Sequence, residues 1–311
     1  MRLRRRIRPV LAATLGALAI GGCGLGAGPG TSDVTLNITR DFGSHPVGQV
    51  VEKKVPGAET VMRLLESHFK VSTRYGGGFV ESVGPYSGTS SQRDWFYYVN
   101  GIQAPYGAAS TRVHKGDHIW WDLHDWHATQ SIPAVVGSFP EPFSTGIKGQ
   151  RLPTVLDCAS NVTVACNEVG RELGREHITY AGASLGSGSG SDSLAIVVGT
   201  WKQLRGSIAA ELVAAGPRSS GVYAQVVGSQ GQVLELDNPL GQVQRTLRGS
   251  AGLIAATEQP SLNQPTWLIT GTDLAGVNAA AAALTPAKLH DHFALAIWHG
   301  RDLPLPLSPS Q

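Results

Sequence analysis

The chain has 311 residues, room for two domains, with 41% hydrophobic and only 15% charged residues. Its formal charge is +2, but Arg2, Arg4, Arg5, Arg6 and Arg8 all precede the first apolar run; without them 20 basic residues face 23 acidic ones, about −3. That balance gives no electrostatic reason to bind nucleic acid, and 39 Gly with 18 Pro predict many loops and short elements.

The basic start runs into an apolar segment over 10–20, too short to span a bilayer as a permanent helix. Residues 1–23 therefore read as an export signal. The segment closes on Ile20-Gly21-Gly22-Cys23, which is similar to a bacterial lipobox. The resemblance implies that the Cys23 thiol carries lipid, palmitate included, and that Cys23 becomes the new N-terminus. Such an anchor holds a protein to the extracytoplasmic side of the cell membrane without crossing it. The competing reading is a plain signal peptide with an incidental Cys. Residues 24–32 predict a flexible tether.

A first domain is expected over 33–143. Residues 34–39 alternate apolar and polar and predict a strand; 50–55 predict a second, with Pro56-Gly57 as the turn. A short amphipathic helix is expected over 60–67, with Val61, Met62, Leu64 and Leu65 on its apolar side, and 79–83 predict another strand. Then comes Trp95-Phe96-Tyr97-Tyr98-Val99-Asn100-Gly101, a bulky strand stopped by an Asn-Gly turn. Gly116-Asp117-His118-Ile119-Trp120-Trp121 opens with a turn and becomes a second aromatic strand.

Helix, aromatic strand, Asn-Gly turn, Gly-Asp turn, aromatic strand: this order resembles the transcobalamin-like C-terminal domain, a family also catalogued as a domain of unknown function and found in bacterial surface proteins. The resemblance implies an α+β, β-grasp-like sheet over one helix. In the vitamin carriers this domain closes over cobalamin, so cobalamin is an implied ligand here. The carriers' second, helical domain has no counterpart in this chain, which implies a partner, either a helical carrier protein or a transporter.

On a strand, alternate residues face opposite sides. Trp95, Tyr97 and Val99 share one face; Phe96 and Tyr98 share the other. Either both faces are covered, or one face and its loops form a platform for a flat ligand or partner. Ligand-binding candidates in or beside the Gly-rich loops are Tyr75, Tyr86, Trp95, Tyr97 and Tyr106. His114, Asp117, His118, Asp122, His124, Asp125 and His127 crowd one stretch. A regular strand places His118, Trp120, Asp122 and His124 on one face, a metal-like spacing. No His-Glu-x-x-His pattern accompanies them, and no metal is assigned.

Residues 133–142 predict a Pro-rich linker or a strand wrapping back, and a second, α/β domain is expected over 149–307. It contains an internal echo. Residues 195–200 lead through Gly199-Thr200 into a helix ending near Leu212, and 267–272 lead through Gly271-Thr272 into one ending near Leu284. Apolar strand, Gly-Thr turn and Ala-rich helix form the pattern of an α/β unit. Strands are expected to follow each helix, over 221–227 and 293–298, and a strand over 156–164 with a helix including 169–173 precedes them. Thr200, Thr272 and Asp273 fall where open α/β sheets hold ligands, at strand C-termini, and are weaker binding candidates. Packing is the competing reason for both glycines.

Cys158 and Cys166 form the remaining even pair and invite a disulfide outside the cytoplasm. Gly182-Ala183-Ser184-Leu185-Gly186 fits the Gly-x-Ser-x-Gly hydrolase formula, which needs a strand before the Ser and a helix after it. The following Ser/Gly run is a poor helix former. Residues 184–193 read as a mobile loop, no enzyme is expected, and the tail from Pro304 is expected to be loosely packed. The composite expectation is an exported, lipid-anchored binding protein that captures or hands over cobalamin or another large cofactor. The alternative is a non-catalytic adhesion or scaffold module of the cell envelope.

Overall fold

The structure, a computed structural model, describes residues 30–88, 92–185, 192–258 and 264–308. The expected signal peptide, Cys23, most of the tether, and 186–191 of the Gly/Ser-rich loop lie outside the described residues. Among the described residues no helix is long and apolar enough to cross a membrane.

The chain opens with an antiparallel hairpin, β1 (Val34–Arg40) and β2 (His45–Glu52). Val34, Leu36 and Ile38 are buried along one face of β1, as period-two alternation requires. The second strand begins earlier than the apolar run suggests. Asp41, Phe42 and Gly43 all take positive φ and turn the chain tightly, so pairing starts at His45. Val55 keeps only an isolated bridge to Thr31.

Helix α1 (Val61–His68) is capped by Thr60, whose hydroxyl accepts the Arg63 N–H at 3.3 Å. Its buried side is the expected Val61, Met62, Leu64 and Leu65. Strands β3 (Val71–Arg74), β4 (Phe79–Val83) and β5 (Tyr86–Ser87) form a small antiparallel sheet. Strands β6 (Arg93–Val99), β7 (Ile102–Gln103) and β8 (His118–Asp125) complete a five-stranded sheet of order β2-β1-β8-β6-β7, in which β1 and β8 run parallel. One face packs on α1 through Leu36, Ile38, Trp95, Tyr97, Ile119 and Trp121.

The two turn motifs are bonded to each other. Asn100 (φ 55°) and Gly101 (φ 76°) take the left-handed conformations an Asn-Gly turn requires. The Asn100 amide donates to Asp117 Oδ1 at 3.0 Å and to the Gly146 carbonyl at 2.9 Å, and its Oδ1 accepts the His118 N–H at 2.8 Å. Asp117 Oδ2 accepts the His114 N–H at 2.7 Å, which closes the Gly-Asp turn. Residues 133–142 are not a linker: Ala134, Val135, Val136 and Phe139 are buried, and pairing back is confined to the Ala134 bridge to Ile102.

The second half of the chain supplies β9 (Thr154–Cys158), α2 (Thr163–Arg175), β10 (Tyr180–Ser184), β11 (Leu194–Thr200), α3 (Trp201–Leu204), α4 (Ile208–Ala214) and α5 (Pro217–Ser220). There follow β12 (Ala224–Val227), β13 (Val233–Asp237), β14 (Val243–Arg248), β15 (Ala251–Glu258), β16 (Pro265–Gly271), α6 (Leu274–Ala283), α7 (Pro286–Leu289), β17 (Ala294–Trp298) and β18 (Arg301–Leu305). A seven-stranded sheet has the order β10-β9-β11-β16-β15-β17-β18. Its β10, β9, β11 and β16 are parallel, while β15 and β18 run antiparallel to their neighbours. Helices α2 and α6 cover one face, α3 and α4 the other. The disulfide joins Cys158 at the end of β9 to Cys166 in α2.

Several expectations for this half are corrected. The sheet is mixed rather than all parallel, because the chain enters β16 from an antiparallel neighbour, β15. The strand after the first echo helix does not re-enter this sheet: β12 opens a separate three-stranded antiparallel sheet with β13 and β14. The strand expected over 156–164 ends at Cys158, because a turn at 160–161 starts α2. Ser184 belongs to β10, and Ser193 is buried one residue before β11, so the expected loop is bounded by the sheet on one side and a packed residue on the other. Residues 304–308 of the tail are not loose: Leu305 completes β18, and Leu305 and Leu307 are buried in the core.

The two large sheets share that core. The second face of the aromatic sheet, with Tyr98 and Trp120, packs with Phe42 against Phe293 and Tyr223 of the C-terminal half. Phe293 alone sits edge-on to Phe42, Tyr98, Trp120 and His124 at 5.1–5.6 Å between ring centroids. Both faces of the ring-rich ribbon are therefore covered.

Candidate functional site

What remains open lies beside the first ring face. A hollow of about 160 Å³ is floored by Trp95, Tyr97 and Trp121 and walled by Met62, Phe79 and Tyr106. Its floor follows from register: Tyr97 pairs with Trp121 across β6 and β8, and their rings stack at 4.7 Å. The Tyr97 hydroxyl donates to the Tyr106 carbonyl at 2.5 Å and lies 2.8 Å from Thr111 Oγ1, which fixes the wall loop to the floor. Burial pushes the Tyr97 hydroxyl above the ordinary tyrosine range, with Thr111 partly offsetting it, so it remains a neutral donor. The Trp95 indole donates to the Tyr86 carbonyl at 3.4 Å.

The rim is exposed and aromatic. Tyr75 is 86% exposed, Tyr106 66% and Phe79 36%. Tyr75 stands edge-on to Phe79 at 6.5 Å, raised there by its own positive φ and the Gly76-Gly77 turn. The Lys148 ammonium lies 6.0 Å from the centre of the Tyr106 ring. Rings this exposed are left partly uncovered by the chain, and exposed apolar surface of this kind marks interaction sites.

Of the sequence candidates, Trp95, Tyr97 and Tyr106 thus come together around one hollow, and Tyr75 joins them through Phe79. Tyr86 lies apart, its ring covered by the Arg40 guanidinium at 4.2 Å. Phe79 and Trp121 belong to the site without having been singled out. The signal for Phe79 was its place directly after the glycines that follow Tyr75.

Thr200, Thr272 and Asp273 lie elsewhere, at the C-terminal ends of the neighbouring parallel strands β11 and β16. Each has structural partners. The Thr200 hydroxyl donates to Gln203 Oε1 at 2.8 Å; Thr272 donates to the Gly249 carbonyl at 2.7 Å and accepts the Ala251 N–H; Asp273 accepts the Gly276 N–H at 2.8 Å and caps α6. Packing accounts for the two glycines: a Cβ on Gly199 would stand 2.7 Å from Leu204 Cδ2, and one on Gly271 2.5 Å from the Val277 nitrogen. Ser184 stays within edge strand β10, and no helix begins between it and β11 among the described residues.

The histidines of the metal-like stretch disperse. His124 is buried between Phe42 and Phe96, stacked at 4.7 and 4.4 Å, with Nδ1 2.9 Å from Asp122 Oδ1. Asp122, fully buried, also accepts Thr39 Oγ1–H and the N–H groups of Phe42 and Gly43. His127 pairs with Gln92 at the surface, and His114 lies 3.5 Å from Asp117. Among the described residues no group of three or more His, Cys, Asp or Glu is arranged to hold a metal ion.

The hollow and its rim lie within the stretch that a family model matches. No curated protein matches the chain. A solved structure from Ruminococcus gnavus ATCC 29149, described as that of a "putative metal binding protein", is similar at 21% identity and a TM-score of 0.25, over 30% of this chain and 97% of its own. Residues 58–125, from the start of α1 to the end of the second aromatic strand, match the family model described as Domain of unknown function DUF4430.

Proposed function

We propose that this is an exported, lipid-anchored, non-enzymatic binding protein that captures or hands over a large, flat cofactor, cobalamin foremost, on the extracytoplasmic side of the membrane. The observation that carries this reading is the rim of exposed rings, Tyr75, Phe79 and Tyr106, around a hollow already floored with aromatic side chains. Flat ligands gain from stacking on such rings, and stable wall and floor hydrogen bonds keep the site preformed. The resemblance of the motif-bearing stretch to the transcobalamin-like domain, with a β-grasp-like order of hairpin, helix and a last strand parallel to the first, supports the choice of cobalamin. The rim is shallow, so a partner, either a helical carrier or a transporter, is assigned the other face of the ligand. Lipid on Cys23 confines the exchange to the membrane surface.

Calorimetric titration with cyanocobalamin tests the reading. Binding is expected for the native protein and weakening of about fivefold or more for Tyr75→Ala with Tyr106→Ala, from the loss of ring contacts worth roughly 0.5–1.5 kcal/mol each. No heat of binding, with or without envelope partners, removes cobalamin. Labelling with palmitate that persists in Cys23→Ser removes the anchor. The scaffold alternative draws on a different observation, the burial of Tyr98, Trp120 and Phe293 between the sheets. It gains if envelope polymer is retained while every flat cofactor is not.

A further inference from the structure

The aromatic hollow does not end at its own wall. Gln103 and Ala104, which line it, also line a larger cavity of about 520 Å³ in the seam between the two halves of the chain. Lys148, Arg218 and Glu258 project from three different segments into this second cavity. Tyr106 and Lys148, one on each side of the divide, are already in contact range.

The seam is built rather than incidental. Arg218 sits on α5, a single turn pinned at both ends by Gly216 (φ 85°) and Gly221 (φ 73°). A Cβ on Gly221 would stand 2.7 Å from the Ile132 Cα, so only glycine lets α5 approach the 131–133 wall this closely. Thr257 Oγ1 donates to the Ser220 carbonyl at 2.9 Å and ties α5 to β15, the strand that ends in Glu258.

The charges around this cavity are unsatisfied from within the chain. Among the described residues the side chains of Arg218 and Glu258 have no hydrogen-bond or ion-pair partner, and Lys148 has only the Tyr106 ring. Two cations and one carboxylate held apart around a cavity fit a ligand that carries an acidic group and, near it, a hydroxyl or amide donor. Guanidinium and ammonium groups bind carboxylate and phosphate with charge-assisted hydrogen bonds. Burial pushes the Glu258 carboxyl upward and so favours its neutral form, which does not repel an acidic group seated beside it.

We propose that the seam cavity seats the acidic end, carboxylate or phosphate, of a ligand whose flat part lies on the Tyr75, Phe79 and Tyr106 rim; the proposal rests on the ring-binding reading above. Together the two hollows fall in the range of roughly 300–1,000 Å³ usual for small-molecule sites. Lys148 and Arg218 then set the choice of ligand, and the rings supply general stacking.

Riboflavin and riboflavin 5′-phosphate serve as probes, since they share one flat ring system and differ only in the phosphate. Each is titrated, by flavin fluorescence, into the native protein and into the Lys148→Gln, Arg218→Gln double variant. Both side chains are exposed, so the fold is expected to survive, and thermal melts by circular dichroism check this. The native protein should bind the phosphate about tenfold or more tightly than riboflavin. That preference should vanish in the double variant, with binding of the phosphate falling far more than binding of riboflavin, and shrink with added salt. Equal binding of the two flavins by the native protein overturns the proposal, as does a preference that survives in the double variant, or no binding of either. A parallel cyanocobalamin titration decides the ring reading separately, so its failure is told apart from failure of the seam.

Discussion

Replacing Phe293 by Ala tests whether the two large sheets really share one core. Phe293 is 3% exposed, and its ring meets Phe42, Tyr98, Trp120 and His124, all edge-on. Truncating a buried Phe costs about 3–5 kcal/mol, from lost transfer energy plus the cavity left behind. Here the neighbours are large rings held by their own bonds: the Trp120 indole donates to Thr39 Oγ1 at 2.7 Å, and His124 bonds Asp122. They have little freedom to collapse into the gap, so the upper part of that range is expected, near 4 kcal/mol. Against a total of about 5–15 kcal/mol this is a large share. Urea unfolding, followed by both tryptophan fluorescence and far-ultraviolet circular dichroism, should show the midpoint falling for both signals together, with the slope m unchanged. A loss below about 1 kcal/mol refutes the shared core. So does a shift confined to one signal, because the sheets would then be unfolding independently.

Further outcomes follow from other contacts. Asn100→Ala should cost about 2–4 kcal/mol, since it leaves Asp117 Oδ1 and the Gly146 carbonyl without the Asn100 amide donor, the His118 N–H without its acceptor, and places Ala at φ 55°; thermal melts read the loss. Burial lowers His118 from the ordinary 6.5 to about 4 in the fold. The unfolded chain therefore binds the proton more readily, so this contribution to stability is complete above about pH 6.5 and is lost as pH falls towards about 4. His292 is lowered in the same direction by burial. Urea midpoints should drop over that window, and less steeply in His118→Gln. Asp237 behaves oppositely: burial, then the charge of Glu235, raises it to about 6, so its ionisation costs stability as pH rises through 6, and Asp237→Asn should gain stability at pH 8. Reducing the Cys158–Cys166 bridge releases a short loop and should cost about 2.5 kcal/mol, seen as a lower urea midpoint with reductant.

How much of this was legible can be judged residue by residue. The α1 stripe, the β1 alternation and both turn motifs are local properties of the chain, and each is found where the pattern places it. The two echo strands are apolar because they are buried on both faces, and β11 and β16 do lie side by side in parallel. The disulfide follows from the pairing of two nearby cysteines. The aromatic candidates split. Period two separates Trp95 and Tyr97 from Phe96 and Tyr98, but it does not say what covers each face.

That choice was made by tertiary structure. Phe293 lies 195 residues beyond Tyr98, and nothing local to either position specifies their contact. The same holds for the antiparallel β15, β17 and β18, whose placement depends on which neighbour buries them, and for the tail, ordered only because Leu305 and Leu307 find a core to enter. Amino-acid order by itself determined the short-range elements, since turns, caps and periodicity act within a few residues. Which rings stay exposed, and which charges converge on the seam, was decided only when distant segments met, because burial is a property of the whole packed chain.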